Sequence, residues 1–204
     1  MSTFLKLLKM LALVLFFTGN VYAACVNTNS RSESQRIFAG QNINAGSIFV
    51  TVEGGSLVVT YELAPGWFFN GKGSDAAHLW VGADRAALPT TKDGTPIPGK
   101  FTFKSGNIDK QKSFEFIVPL NTIGFGIADG NKVFSIYPHG SLSNEKGDSV
   151  ETAWGGNLEG TGPRWYHYFE VELTNDCRGL PEDGQGGTGL VPENPAITTP
   201  VSPS

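Results

Sequence analysis

The sequence predicts an all-β fold, an antiparallel two-sheet sandwich of jelly-roll type with one disulfide. Three observations predict it. Apolar and polar residues alternate with period two along much of the chain. Turn-forming residues recur at short intervals, and no stretch of the mature domain keeps a 3.6-residue apolar period. About eight to ten short strands in about 155 residues suit a sandwich or barrel built round one core.

The chain opens with a segment that reads as a secretory signal peptide. Lys6 and Lys9 give it a positive start, Met10 to Phe17 is an apolar run too short for a comfortable membrane span, and Val21-Tyr22-Ala23 ends on small or branched residues. Cleavage is expected after Ala23, so that 1–23 is removed. The rival reading, a lipoprotein signal with Cys25 acylated, wants an aliphatic residue where Tyr22 stands. Removing Lys6 and Lys9 from the 15 basic residues leaves 13 against 19 acidic ones. With that acidic balance there is no basic patch to neutralise a row of phosphates, so nucleic acid and anionic membrane surfaces are not expected partners. The mature chain is expected to carry no transmembrane anchor and to be secreted, periplasmic or held at the cell surface.

The domain is expected over 24–178. Cys25 and Cys177 stand at its two ends. In an oxidising compartment a pair of cysteines is expected to bridge, and closing a loop of about 150 residues removes about 5 kcal/mol of unfolded-state entropy on the chain-entropy account. Two free thiols are the alternative. A four-cysteine zinc site is excluded by the count.

Ile48, Val50 and Val52 alternate with Phe49, Thr51 and Glu53, and Gly54-Gly55 makes a tight hairpin turn. Leu57, Val59, Tyr61 and Leu63 form the returning strand, ended by Pro65-Gly66. Further strands are expected over 76–82, 100–104, 113–120, 132–137, 149–154 and 166–174. Turn residues separate them at Asp93-Gly94, Pro98-Gly99, Ser105-Gly106-Asn107, Asp129-Gly130-Asn131 and Lys146-Gly147-Asp148. In the last strand His167, Phe169, Val171 and Leu173 share one face, with Tyr168, Glu170 and Glu172 on the other. Beyond Cys177 the composition turns to Gly, Pro, Thr and Ser without an aromatic residue, and 179–204 is expected to be a disordered tail. Its Gly184-Gln185-Gly186-Gly187-Thr188-Gly189 run lacks the lysine and the strand–helix setting of a phosphate loop.

No nucleophile elbow and no H-E-x-x-H motif occurs, and nothing local singles out a glycosidase carboxylate pair. The three histidines, His78, His139 and His167, each lie on or beside an expected strand. His78 should face away from Ala77, Leu79 and Val81. His139 should fall in phase with Ser135 and Tyr137 if its strand continues past Pro138. With Glu151 at the start of another strand, His78 and His139 form a candidate divalent-metal site, since neutral imidazoles and a carboxylate suit Zn²⁺ or a similar ion. Hydrogen-bonded structural histidines are the plainer reading. Trp67, Trp154 and Trp165 lie near strand ends or Gly-rich loops and are candidates for stacking on a ligand such as a sugar ring, against core filling as the alternative.

The blocks His78-Leu79-Trp80-Val81-Gly82, Ile97-Pro98-Gly99-Lys100-Phe101, Glu151-Thr152-Ala153-Trp154-Gly155 and Trp165-x-x-Tyr168-Phe169 stand in that order, with His139 following the 134–137 strand. This pattern resembles a β domain of unassigned activity found in secreted and surface proteins, mainly bacterial, and spans roughly 57–173. The resemblance implies an extracellular β domain and no particular reaction. An acid is expected shortly after the tryptophan of E-T-A-W-G; here Gly156-Asn157 follow and Glu159 stands nearest. Two functions are thus expected to compete. One is a non-enzymatic, extracellular or surface-associated module binding an unknown ligand, with carbohydrate as one class. The other is a metal-binding protein or metal-dependent enzyme using His78, His139 and Glu151.

Overall fold

The computed structural model describes residues 24–26, 34–126, 128–145 and 150–177. The expected signal segment 1–23, the expected tail 179–204 and the Lys146-Gly147-Asp148 turn lie outside the described residues. The strands are β1 Cys25–Val26, β2 Gln35–Ala39, β3 Ile43–Glu53, β4 Ser56–Leu63, β5 Trp67–Phe69, β6 Ala77–Gly82, β7 Phe103–Lys104, β8 Ser113–Pro119, β9 Lys132–Asn144, β10 Glu151–Gly155, β11 Leu158–Glu159 and β12 His167–Thr174. Short 3₁₀ turns occupy Arg85–Ala87, Pro98–Lys100 and Leu120–Ile123. Among the described residues there is no α-helix, and no helix long and apolar enough to cross a membrane. The fold is all-β and antiparallel, as the alternation predicts.

The strands hydrogen-bond in the order β1-β12-β9-β10-β2-β3-β4-β8, with β5 and β6 also on β9, β7 on β6 and β11 on β12. Side chains from both ends of this order share one core. Val26, Phe134, Ile136, Phe169, Val171 and Leu173 from one end meet Ile48, Leu57, Val59, Tyr61, Phe116 and Val118 from the other. The sheet is therefore rolled on itself, and its inward face is the one that the alternation marks as apolar. The β3–β4 hairpin turns at Gly54 and Gly55, both with positive φ (54° and 77°) that a side-chain-bearing residue adopts only with strain.

β9 is the hub. One edge pairs first with β12, over Lys132 to Ile136, and then with β10, over His139 to Leu142. Its other edge pairs with β6 over Ser135 to Gly140 and with β5 over Leu142 to Asn144. Expectation ended this strand at Tyr137, because proline removes a ladder donor. The strand instead runs through Pro138, and the reason is positional. Ser141 donates its N–H to the Ala76 carbonyl on the β6 side. Backbone groups alternate edges along a strand, so the Pro138 nitrogen points to the other edge. That edge changes partner there, from Phe169 opposite Ile136 to Trp154 opposite His139. The proline thus sits where its missing N–H costs least.

The disulfide joins Cys25 to Cys177 across a sequence separation of 152, with Cα atoms 5.9 Å apart. Its structural task is local as well as topological. β1 is two residues long, and Cys25 lies opposite Thr174, near the end of β12. So short a strand would fray without a fastening, and with it Val26 is held in the core at 3 % exposure. Replacing both cysteines by serine should lower unfolding stability by about 2–5 kcal/mol, read as a shift in the urea midpoint under non-reducing conditions. An unchanged midpoint would mean that the bridge does not constrain the fold.

Candidate functional site

The outward face of β9 is also buried. Ser135, Tyr137 and His139 lie on it, opposite the core residues Phe134, Ile136 and Leu142. Two segments cover this face, one running from Asp84 to Phe101 and one from Gly156 to Tyr166. They contribute Leu88, Phe101 and Tyr166 to a second cluster with Trp80, Tyr137 and Trp154. The rings meet mostly edge to face: Trp80 on Tyr137 at 5.5 Å, Phe101 on Trp154 at 6.2 Å, and Trp154 edge-on to His139 at 4.8 Å. Such contacts match positive ring edges to negative ring faces. Tyr168 instead stacks flat on Tyr137 at 4.8 Å and takes the Arg85 guanidinium over its outer side, 5.1 Å from the ring centre. Arg85 also donates to the Tyr168 hydroxyl at 2.9 Å. Burial pushes the Tyr137 hydroxyl up to about 12, so it is neutral across the physiological range.

The registers explain the sequence blocks that set this face. Ala77, Gly140, Ala153 and Ala39 lie opposite one another across four strands, a rung of small residues on the core side. The next rung places Lys104, His78, His139, Trp154 and Phe38 side by side across β7, β6, β9, β10 and β2. The alanine and tryptophan of Glu151-Thr152-Ala153-Trp154-Gly155 therefore serve opposite faces of β10. A Cβ at Gly155 would run into Ile48, and at Gly156, where φ is +133°, into the Tyr168 carbonyl. Backbone leaves room for glycine only at Gly156, whereas at Gly155 the obstacle is the tip of the Ile48 side chain.

His78 and His139 are direct cross-strand partners, with Nδ1 atoms 3.4 Å apart and ring centres 5.4 Å apart. His139 is 9 % exposed, and His78 is half-buried at the rim. Burial, with the neighbouring His78 ring adding to it, lowers His139 to about 3. His78 is lowered too, first by burial; Asp75 pulls the other way and Lys104 adds to the lowering. Both imidazoles are neutral at pH 7, and one ring can donate its Nδ1–H to the other's lone pair. Glu151 opens β10 three residues before Trp154, opposite Leu142. Three is an odd step on a strand, so Glu151 starts from the other face of the sheet. Among the described residues no group of three His, Cys, Asp or Glu side chains gathers as a metal centre.

His167 lies apart from this pair. It stacks on Phe38 at 4.7 Å, meets Trp165 edge-on at 6.1 Å and lies opposite Glu159 across the β11–β12 ladder. Its Nδ1 is buried without a hydrogen-bond partner among the described residues, and burial lowers its pKa, with Glu159 opposing. Of the three tryptophans singled out in the sequence, Trp154 is 4 % exposed within the second cluster, and Trp67 packs against the main core. Trp165 is half-exposed beside the second cluster. Phe38 was not singled out; it sits on a short strand whose five residues carry too little alternation to mark its face.

No family model, curated protein or solved structure matches the chain. The site is accordingly read from its own geometry.

The low pKa of His139 makes stability depend on pH with a definite sign. The unfolded chain takes up a proton near 6.5 and the folded chain near 3, so this contribution is full above about 6.5 and is lost as pH falls towards 3. Between pH 6.5 and 4.5 the wild type should lose about 2–3 kcal/mol more urea stability than His139→Gln. Parallel losses in the two proteins would contradict a buried, neutral His139.

Proposed function

We propose that the chain is exported and works as a non-enzymatic extracellular or surface-associated binding module, with carbohydrate as the ligand class. The observation that carries this reading is the contiguous, half-exposed row Phe38–His167–Trp165 at the β2, β12 and β11 side of the sheet. Rings already buried on one side and open on the other offer flat apolar faces at little ordering cost, which suits the C–H faces of a sugar. The row is bordered by polar groups. Glu159 is opposite His167, and Arg164 precedes Trp165 and is exposed. The Cys25–Cys177 bridge suits an oxidising compartment.

The test is retention of the full chain on insoluble cellulose, chitin and mannan, compared with Trp165→Ala and with Trp67→Ala, whose ring packs on the main core away from the row. Wild type and Trp67→Ala should be retained on at least one polymer. Trp165→Ala should bind about tenfold more weakly, the loss of one stacked ring. Failure of the wild type on all three, or equal retention of Trp165→Ala, would contradict the carbohydrate reading.

A further inference from the structure

We propose that His78 and His139 form a two-histidine chelate for a Zn²⁺ ion, open to solvent on the His78 side. This goes beyond the ligand row: it uses a different rung of the sheet and a different chemistry.

The geometry of the pair suits a tetrahedral ion. Two nitrogens bound at the usual Zn–N length span a tetrahedral edge of about 3.3–3.4 Å, against about 2.8 Å for adjacent positions in a square plane and about 4 Å across a linear ion. The Nδ1 atoms stand 3.4 Å apart. The rings add a second check. Imidazoles pointing their Nδ1 lone pairs at one tetrahedral ion have centres about 5.2 Å apart, and these centres are 5.4 Å apart. Zn²⁺ could therefore enter with little movement of the backbone. The square-planar Cu²⁺ arrangement would require the two Nδ1 atoms to draw closer together than they stand.

The surroundings favour neutral ligands held in place. Trp154 packs edge-on against His139 and fixes that ring. The Tyr61 hydroxyl donates to the His78 carbonyl at 3.3 Å from the core side and anchors that strand. Asp75 lies close enough to act on His78, offsetting the exposed Lys104 opposite it. Both rings are already uncharged at neutral pH, so the metal displaces no proton to solvent. The ring that donated Nδ1–H to its neighbour carries its proton on Nε2 instead. Two protein ligands leave two tetrahedral positions for water or for an oxygen of an incoming ligand.

The test is calorimetric titration of the chelator-treated, disulfide-intact full chain with ZnCl₂, together with imidazole ¹⁵N NMR. Expected are one saturable equivalent below about 1 mM Zn²⁺, weakened at least about tenfold in His78→Ala, and slightly tightened in Lys104→Ala, where the opposing charge is gone. In the wild type the Nδ1 signals of His78 and His139 should both shift and both rings should become Nε2–H tautomers, a readout that needs no variant to fold. No saturable binding, or binding that leaves both Nδ1 signals unmoved, would overturn the proposal and leave the pair as a hydrogen bond.

Discussion

Over 135–140 β9 is paired on both sides and buried on both faces, and the rest of the structure is arranged round that constraint. Its inward residues Phe134, Ile136 and Leu142 complete the main core. Its outward residues Tyr137 and His139 form the floor of a second, aromatic cluster. A sheet with one solvated face needs only one apolar set per strand. Here the central strand needs two, and the second is covered by long connections rather than by another layer of strands. The covering segments bring in Leu88, Phe101 and Tyr166, large side chains that seal the cluster from water.

This double burial creates the chemistry of the site. A histidine on an ordinary outward strand face would titrate near its usual value and hydrogen-bond to water. His139 is placed between Trp154 and His78 and is held neutral by burial. The polar groups of the outer face grow more exposed towards its margins. Ser135 is buried and bonds Glu170, while Arg85 reaches over Tyr168 from the covering segment. The half-exposed rings Phe38, His167 and Trp165 lie at the edge of the same face. A buried aromatic floor with partly open margins presents fixed ring faces to a partner, and fixed groups lose little entropy on binding.

The alternation in the sequence made β3, β4, β6, β8 and β12 legible, because each has one apolar face and the turns between them use glycine or proline. β9 was legible only as far as Tyr137. Beyond it, Pro138 and Gly140 read as a strand end, and nothing local shows that an edge changes partner at the proline. The strand expected over 100–104 is confined to Phe103–Lys104, and Lys100 instead closes a 3₁₀ turn with the Pro98-Gly99 pair that the sequence marks as a turn. β1, β5 and β11 are two or three residues long and exist through their partners, so they carry no period to detect. The facing of His78 and His139 followed from strand phase, but their adjacency depends on the register of β6 on β9, which is a tertiary fact. Glu151 joins them in the sequence only as a carboxylate at the start of another strand, and its odd spacing from Trp154 on that strand starts it from the other face.

The central claim, that β9 carries both buried faces, is tested most directly by native-state amide hydrogen exchange. If it holds, the amides of Phe134, Ile136, Tyr137, His139 and Leu142 exchange only through global unfolding, with a free energy equal to that from urea denaturation and no lower than that of the β3–β4 hairpin. If the β9 amides open well below the global value while Val50 and Val59 stay protected, the hub lies in the hairpin sheet and the account given for β9 is wrong.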